Sequence, residues 1–187
     1  MKIEKHNIVL PNGTFTAELQ IFEESDRKEL YHLYIHWRTL SKKLASLGSR
    51  GVNLPEGLSE AAFCLEMQTA RLTSSIPGAN TSFDCYDLSN QSRIQVKACS
   101  VLPDLTSFGP KSVWDRIYFC DFYRDGNWDG TFDVYLIDNY DIYNHKVNAN
   151  QTLKDQQLQG KRPRFSIYKE IIQAKNLSPI KTGKLSP

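Results

Sequence analysis

Twenty residues near the middle of the chain, TSFDCYDLSNQSRIQVKACS (Thr81–Ser100), form the clearest structural pattern in the sequence. Two segments in which apolar and polar residues alternate, Ser82–Leu88 and Arg93–Cys99, flank the polar segment Ser89–Ser92. Such alternation on both sides of a polar turn is typical of a β-hairpin. We therefore predict a pair of short antiparallel strands at the centre of the fold.

The hairpin carries polar groups that suit a divalent-metal site. Asp84 lies on the first strand, and Gln95 and Lys97 lie on the second, where their spacing places both side chains on one face. Mg²⁺ prefers carboxylate and carbonyl oxygens, so Asp84, the Gln95 side chain and the Val96 backbone carbonyl are candidate ligands. The Lys97 ammonium can orient an attacking water or stabilise charge that builds on phosphorus.

Asp87 is the alternative carboxylate for the first ligand position. It follows Asp84 by three residues, so the pleat of a strand sends its side chain to the opposite face. It also lies nearer the turn. We therefore prefer Asp84.

Composition is typical of an ordinary globular protein. The 187 residues are 40% hydrophobic, which suffices for a core, and no apolar run reaches the roughly 18 residues of a membrane span. The N-terminal MKIEKHNIVL lacks the apolar segment of a signal peptide. We therefore expect a cytoplasmic protein whose cysteines stay reduced; these are Cys64, Cys85, Cys99 and Cys120.

Positive charge is concentrated in the C-terminal segment. From Lys146 onward there are nine Lys or Arg residues and two acidic ones, whereas the preceding 145 residues carry an acidic excess. This separation is expected where one part of a protein binds phosphates and another holds a metal. The candidate DNA-contacting residues are Lys161, Arg162 and Arg164, with Gln156 and Gln157, whose amides can pair with adenine edges.

The other periodic segments predict a mixture of strands and helices. The predicted strands are Lys5–Leu10, Thr14–Phe22, Ile117–Tyr123 and Thr131–Ile137. The predicted helices are Arg27–Leu47, with a capping box at Asp26 and Glu29, and Pro55–Leu72, with a capping box at Asn53 and Glu56. Glu60 lies on the second helix, either as a functional acid or as a solvent-facing helix former.

Two other metal-like patterns have simpler explanations. Asp125, Asn127 and Asp129 match the opening of a calcium loop, but Leu136 stands where the pattern requires Glu and the flanks predict strands. We interpret this segment as a hairpin turn. His32 and His36 lie one helical turn apart without a third ligand nearby, which favours a solvated helix face.

The central hairpin also resembles a known catalytic core. SFDCYDLSNQSRIQVKACS is similar to the PD-(D/E)XK nuclease motif, with Gln in place of the middle acidic residue. RGVNLPEGLSEAAFC upstream, the aromatic strand pair downstream and the C-terminal RPRFSIYKEII extend the resemblance from Arg50 onward. Together they resemble small Type II restriction endonucleases, in particular the Bsp6I family.

The resemblance implies a role for each residue of the motif. Asp84 would be the first metal ligand, Gln95 the second and Lys97 the catalytic lysine. Glu60 would be the helix acid that binds or supports the metal. Because a neutral Gln95 removes one negative charge, we expect Glu60 to compensate for it. The motif's usual Pro is absent, since Phe83 precedes Asp84.

The resemblance also implies an architecture and partners. We expect a single nuclease domain spanning residues 1–187, an α/β (α+β) fold with a central mixed sheet flanked by helices, and a basic DNA-contacting segment at about 146–187. The expected cofactor is Mg²⁺, with Mn²⁺ as a substitute. The expected partners are double-stranded DNA and a second copy of the chain in a homodimer. A companion DNA methyltransferase would accompany it genetically in a prokaryotic cytoplasm.

Two other functions remain open from the sequence. A repair or junction-resolving nuclease could use the same fold and the same residues. A DNA-binding module with an inactive metal site would also carry the basic segment. Cleavage of double-stranded DNA that leaves 5′-phosphate and 3′-hydroxyl ends is the function that the resemblance favours.

Overall fold

A computed structural model of the chain describes all 187 residues. The strands are β1 (Lys2–Leu10), β2 (Gly13–Ile21), β3 (Ala70–Leu72), β4 (Cys85–Asp87), β5 (Ser92–Cys99), β6 (Thr106–Ser107), β7 (Arg116–Asp121), β8 (Thr131–Ile137), β9 (Lys146–Asn148), β10 (Gln151–Thr152), β11 (Arg164–Phe165) and β12 (Lys181–Lys184). The helices are α1 (Arg27–Ser46), α2 (Glu56–Met67), α3 (Asn139–Tyr143) and α4 (Leu153–Leu158), with 3₁₀ turns at Glu24–Asp26 and Arg124–Gly126 and a π-helix at Tyr168–Gln173.

Eight of the strands form one mixed sheet in the order β1-β2-β3-β4-β5-β7-β8-β12. The β5–β7 pair is parallel, and every other neighbouring pair in this sheet is antiparallel. The predicted α/β fold, a mixed sheet flanked by helices, is confirmed. No helix combines the length and apolar character needed to cross a membrane.

Alternation along the central strands gives the sheet two buried faces. Ile94 and Val96 of β5 pack in a cluster with α1 and α2, whereas Cys99 joins the cluster that includes Phe108 and Phe165. A third cluster lies between β1–β4 and the segment after β3. Because Gln95 and Lys97 alternate with Ile94 and Val96, they face the side away from the helix pair.

The second predicted helix, Pro55–Leu72, is longer than the helix in the structure. α2 ends at Met67, where Gln68 adopts a left-handed conformation with φ of 54°. Ala70–Leu72 is instead strand β3, which pairs with β2 on one side and β4 on the other. Its alternating burial suits a strand, and the sheet hydrogen bonds outweigh the helical propensity of the segment.

Neither predicted capping box forms. The side chain of Asp26 accepts from the Glu23 backbone, as part of a box that belongs to the preceding 3₁₀ turn. α2 has Pro55 as its N-cap, so no side chain caps it. The strand predictions hold better, although β4 is shorter than the predicted Ser82–Leu88.

Candidate active site

The backbone holds Asp84 at the point where β4 begins. Its N–H donates to the carbonyl of Ile94 at 3.0 Å, and its carbonyl accepts from the N–H of Leu72 at 3.0 Å. Its carboxylate oxygen Oδ2 accepts from the backbone N–H of Val96 at 2.8 Å and from Nε2 of Gln95. Two neighbouring strands therefore fix both the main chain and the side chain of Asp84.

Gln95 presents a buried oxygen with no hydrogen-bond donor. The residue is 3% exposed, and its Nε2 donates to Asp84, which determines the orientation of the amide. Its Oε1 has no hydrogen-bond partner within the chain. Buried polar atoms nearly always have a partner, so an acceptor left free beside a carboxylate is suited to a cation.

The electrostatic surroundings of Asp84 favour the same conclusion. Burial raises the pKa of this carboxyl to about 6, with the nearby Glu60 charge also raising it and the Lys97 ammonium lowering it. The raised pKa means that the ionised carboxylate lacks full compensation from the chain. A divalent cation would supply that compensation.

The backbone of Val96 adds a carbonyl oxygen on the side of β5 that faces Asp84. In a strand, the N–H and C=O of one residue point to the same neighbour, and the Val96 N–H points to Asp84. No group of three or more His, Cys, Asp or Glu side chains able to hold a metal occurs anywhere in the chain. A metal here would therefore depend on one carboxylate together with the amide and backbone oxygens, which a hard cation such as Mg²⁺ accepts.

Glu60 is bound to a residue that the sequence analysis missed. Its Oε2 accepts from Nε of Arg71 at 2.5 Å, and Nη1 of Arg71 donates to Oε1 of Gln20 at 3.0 Å. The side chains of Glu60 and Arg71 are 12% and 24% exposed. Glu60 is thus close enough to influence Asp84 but is already paired with a cation. The alternation in Ala70–Leu72 was the signal that could have placed Arg71 on a strand.

Lys97 connects the hairpin to the C-terminal segment. Its Nζ lies 5.9 Å from the ring centroid of Phe108. Phe108 stacks on Phe165 with centroids 5.5 Å apart, and Phe165 follows Arg164 in β11. β11 pairs with β6, which ends directly before Phe108. The basic segment is therefore joined to the same side of the sheet as Lys97.

Asp87 is separated from these groups. Its carboxylate accepts from the backbone N–H of Ser89 at 2.9 Å, from the Ser89 hydroxyl at 2.6 Å and from Nδ2 of Asn90 at 2.8 Å. These bonds are typical of an Asx turn. Asp87 stabilises the hairpin turn, in agreement with the preference for Asp84.

The five predicted DNA-contacting residues divide into two groups. Lys161, Arg162 and Arg164 are exposed and form no ion pair. In contrast, Nε2 of Gln157 donates to the Gly109 carbonyl at 2.7 Å, and Nε2 of Gln156 lies 3.3 Å from Oε1 of Gln151. The three cationic side chains are available to bind phosphates, whereas the two amides already form hydrogen bonds within the protein.

The other two metal-like patterns are structural. Asp129 accepts from the N–H of Thr131 at 3.0 Å within the β7–β8 connection, and both flanking elements are strands. His32 and His36 are exposed on α1. Both features agree with the turn and the solvated helix face expected from the sequence.

Comparison with known proteins identifies the family of the chain. The family model described as Bsp6I restriction endonuclease matches residues 22–174, a range that includes the hairpin, Glu60 and the cationic residues. The Type II restriction enzyme Bsp6I of Bacillus sp. (strain RFL6) is 33% identical over 161 residues, which cover 84% of this chain and 87% of that enzyme. No solved structure gives a significant match. The chain belongs to the Bsp6I restriction endonuclease family.

Proposed function

We propose that this protein is a Type II site-specific deoxyribonuclease. It hydrolyses phosphodiester bonds of double-stranded DNA in a Mg²⁺-dependent reaction and leaves 5′-phosphate and 3′-hydroxyl ends. The observation that carries the proposal is the buried, unpartnered Gln95 Oε1 beside Asp84, in a member of a restriction endonuclease family.

The metal would bind Asp84, Gln95 Oε1 and the Val96 carbonyl, with Glu60 as a nearby second carboxylate. Bound Mg²⁺, or Mn²⁺ in its place, neutralises phosphate charge and lowers the pKa of water. Gln95 has a double role, because its Nε2 holds Asp84 in position while its Oε1 remains free. Arg71 limits the repulsion between Glu60 and Asp84 by pairing with Glu60.

Lys97 acts on the reacting phosphate. Its position on the same face of β5 as Gln95 allows the ammonium to approach a phosphate held at that metal site. There it stabilises the charge that develops on the phosphate and orients the attacking water. The nearby Phe108 ring limits the freedom of the lysine stem.

The DNA partner is held by Lys161, Arg162 and Arg164. Their exposed cations bind the backbone of double-stranded DNA and release counterions. Phe165 of this segment stacks on Phe108, which lies near Lys97. We therefore propose that one DNA duplex contacts both the segment and Lys97. The active form is a homodimer, because cutting both strands at one symmetric site requires two active sites. A companion DNA methyltransferase in the same prokaryotic cytoplasm protects the host DNA.

The test is cleavage of plasmid and genomic DNA with Mg²⁺, Mn²⁺ or EDTA. We expect discrete fragments that require metal, and sequencing of the fragment ends defines the site and the 5′-phosphates. Cleavage restricted to branched DNA would indicate a junction-resolving nuclease instead. Metal-independent DNA binding without any cleavage would indicate an inactive binding module.

Two matched substitutions locate the chemistry. Asp84→Asn removes a charge at the site, whereas Asp87→Asn makes the same change in the hairpin turn. We expect loss of cleavage only for Asp84→Asn, with DNA binding retained. Equal activity of both variants would overturn the assignment of this site.

A further inference from the structure

Helix α1 leaves a row of leucines in solvent. Leu33, Leu40 and Leu47 are 47%, 51% and 80% exposed, and they recur at seven-residue intervals. Residues seven apart lie on one line along a helix, so the three form a continuous apolar row. Beside this row, Leu30 and Trp37 are buried in the core.

A second row beside the leucines carries charge. Glu29, His36 and Lys43 also recur every seven residues, and each directly neighbours the apolar row on the helix surface. All three are exposed, and the side chains of Glu29 and Lys43 form no ion pair within the chain. The two rows together are called the α1 seam.

Two other parts of α1 contact the rest of the chain. Nε1 of Trp37 donates to the Val52 carbonyl at 2.9 Å, on the side of the loop that leads to α2. Arg38 lies over the Trp128 ring at 3.5 Å, on the side of the β7–β8 connection. The rest of the exposed surface of α1 carries mainly polar residues, namely Lys28, His32, Thr39 and Lys42. The α1 seam is therefore the exposed flank on which apolar residues form a continuous row.

The order of charges on the seam is complementary to itself. Glu29 and Lys43 lie seven residues on either side of His36. If two copies of α1 cross antiparallel at His36, Glu29 faces Lys43 of the partner subunit, and the reciprocal pair forms by symmetry. Leu33 comes within about one residue of the level of Leu40 of the partner subunit. A parallel arrangement would instead oppose like charges, which is destabilising.

We propose that the α1 seam is a homodimer interface in which two copies of α1 pack antiparallel about a two-fold axis at His36. The proposal names the surface for the dimer that the proposed nuclease requires, but association does not depend on DNA or metal. Exposed leucines supply the buried apolar surface, and the two reciprocal ion pairs determine orientation.

The first test is the mass of the DNA-free, metal-free protein by sedimentation equilibrium. We expect a dimer for the wild type and a monomer for Leu40→Glu at the same concentration. Ile35→Glu is the matched control, because Ile35 is an exposed apolar residue on a different flank of α1 and should leave the dimer intact. Circular dichroism checks that both variants remain folded. A monomeric wild type, or a dimeric Leu40→Glu, would overturn the proposal.

Charge exchange tests the antiparallel arrangement separately. Glu29→Lys places like charges opposite each other and should raise the dimer dissociation constant by about 10-fold, since two pairs are lost. Adding Lys43→Glu in the same chain should restore the wild-type value. Failure of the double variant to recover would refute the antiparallel orientation.

Cross-linking offers a readout that does not depend on affinity. The four native cysteines are buried, so His36→Cys introduces an accessible thiol at the proposed two-fold axis. A short bis-maleimide should link this variant into dimers, whereas Lys42→Cys, at an exposed position on a different flank of α1, should remain largely unlinked. A monomeric protein that still cuts DNA would refute the interface and the homodimer but not the nuclease activity. A dimer without nuclease activity would refute the proposed function alone.

Discussion

The two candidate functional regions of the molecule differ in how firmly the rest of the chain holds their polar side chains. At the hairpin, Asp84 and Gln95 are held by three strands, and a single acceptor atom, Gln95 Oε1, is left without a partner. In the C-terminal segment, the side chains of Arg162 and Arg164 are exposed and form no ion pair. The polar side chains of the first region are held by hydrogen bonds within the chain, whereas the guanidinium groups of the second are not held by any ion pair.

This difference fits the roles proposed for the two regions. Chemistry on a phosphodiester requires groups fixed in position, and a buried site provides this because nothing has to reorganise during the reaction. Binding a duplex whose sequence varies requires long, solvated cations that can adjust. Phe108 connects the two regions, since it lies near Lys97 and stacks on Phe165. We therefore expect substitutions in the first region to lower the rate of DNA cleavage and substitutions in the second to weaken DNA binding.

Lys97→Ala should produce the largest effect. Loss of a cation that acts only in the transition state should lower the single-turnover cleavage rate by about 10²–10³ while DNA affinity changes little. Lys154→Ala, an exposed lysine on α4, is the control and should cut normally. Cleavage by Lys97→Ala at the wild-type rate would remove this hairpin from the mechanism.

Gln95→Glu tests whether the free amide oxygen belongs to a metal site. In EDTA, the substitution replaces a donor to Asp84 with a second buried carboxylate, which should cost about 3 kcal/mol of unfolding free energy. Mg²⁺ should recover this loss and raise the melting temperature more than in the wild type, and cleavage should persist. Gln95→Leu, which removes the oxygen, should abolish the Mg²⁺-dependent rise. A Gln95→Glu protein that binds DNA and Mg²⁺ but cannot cut would contradict this interpretation.

The hairpin was predictable because its determinants are local. Alternation and turn composition placed Asp84 and Gln95 on adjacent strands, and the family motif is contained within this short segment. The preference for Asp84 over Asp87 followed from the pleat and from the position of Asp87 near the turn. The hairpin could therefore be predicted before the fold was known.

The partners of Glu60 were not predictable in the same way. Ala70–Leu72 has helical propensity, and only pairing with β2 and β4 makes it a strand that carries Arg71 towards Glu60. The internal bond of Gln157 to Gly109 likewise depends on packing between distant segments. A local pattern can indicate a strand, as the alternation in Ala70–Leu72 does, but it does not specify which distant residues that strand meets.

Helix α1 shows a second limit of sequence patterns. Apolar residues recur along its sequence at helical spacing, namely Leu30, Leu33, Tyr34, Trp37, Leu40, Leu44 and Leu47. The core covers only part of it, and Leu33, Leu40 and Leu47 remain exposed. Periodicity shows that a helix has an apolar face, but it does not show how much of that face the rest of the same chain buries.

Arg71→Met should have an effect of intermediate size, and it should lower the free energy of unfolding. It leaves the Glu60 carboxylate unpaired in a site where that side chain is 12% exposed, which should cost about 1.5–3 kcal/mol in urea unfolding. The double variant Arg71→Met/Glu60→Gln should lose less than the sum of the two single changes, because the unpaired charge is gone. Strict additivity would show that the ion pair does not couple these residues.

Arg162→Ala should have the smallest effect, on DNA affinity alone. Removing one phosphate-contacting cation should lower the slope of log affinity against log salt by about 1, with an unchanged cleavage rate at saturating DNA. Lys175→Ala is the matched control, because Lys175 is already paired with Asp141 and should leave the slope unaltered. If both variants changed the slope equally, the binding surface would extend over the whole C-terminal segment. If Arg162→Ala instead slowed cleavage at saturation, the basic segment would take part in the chemistry, and the contrast between a fixed site and an adaptable surface would not hold.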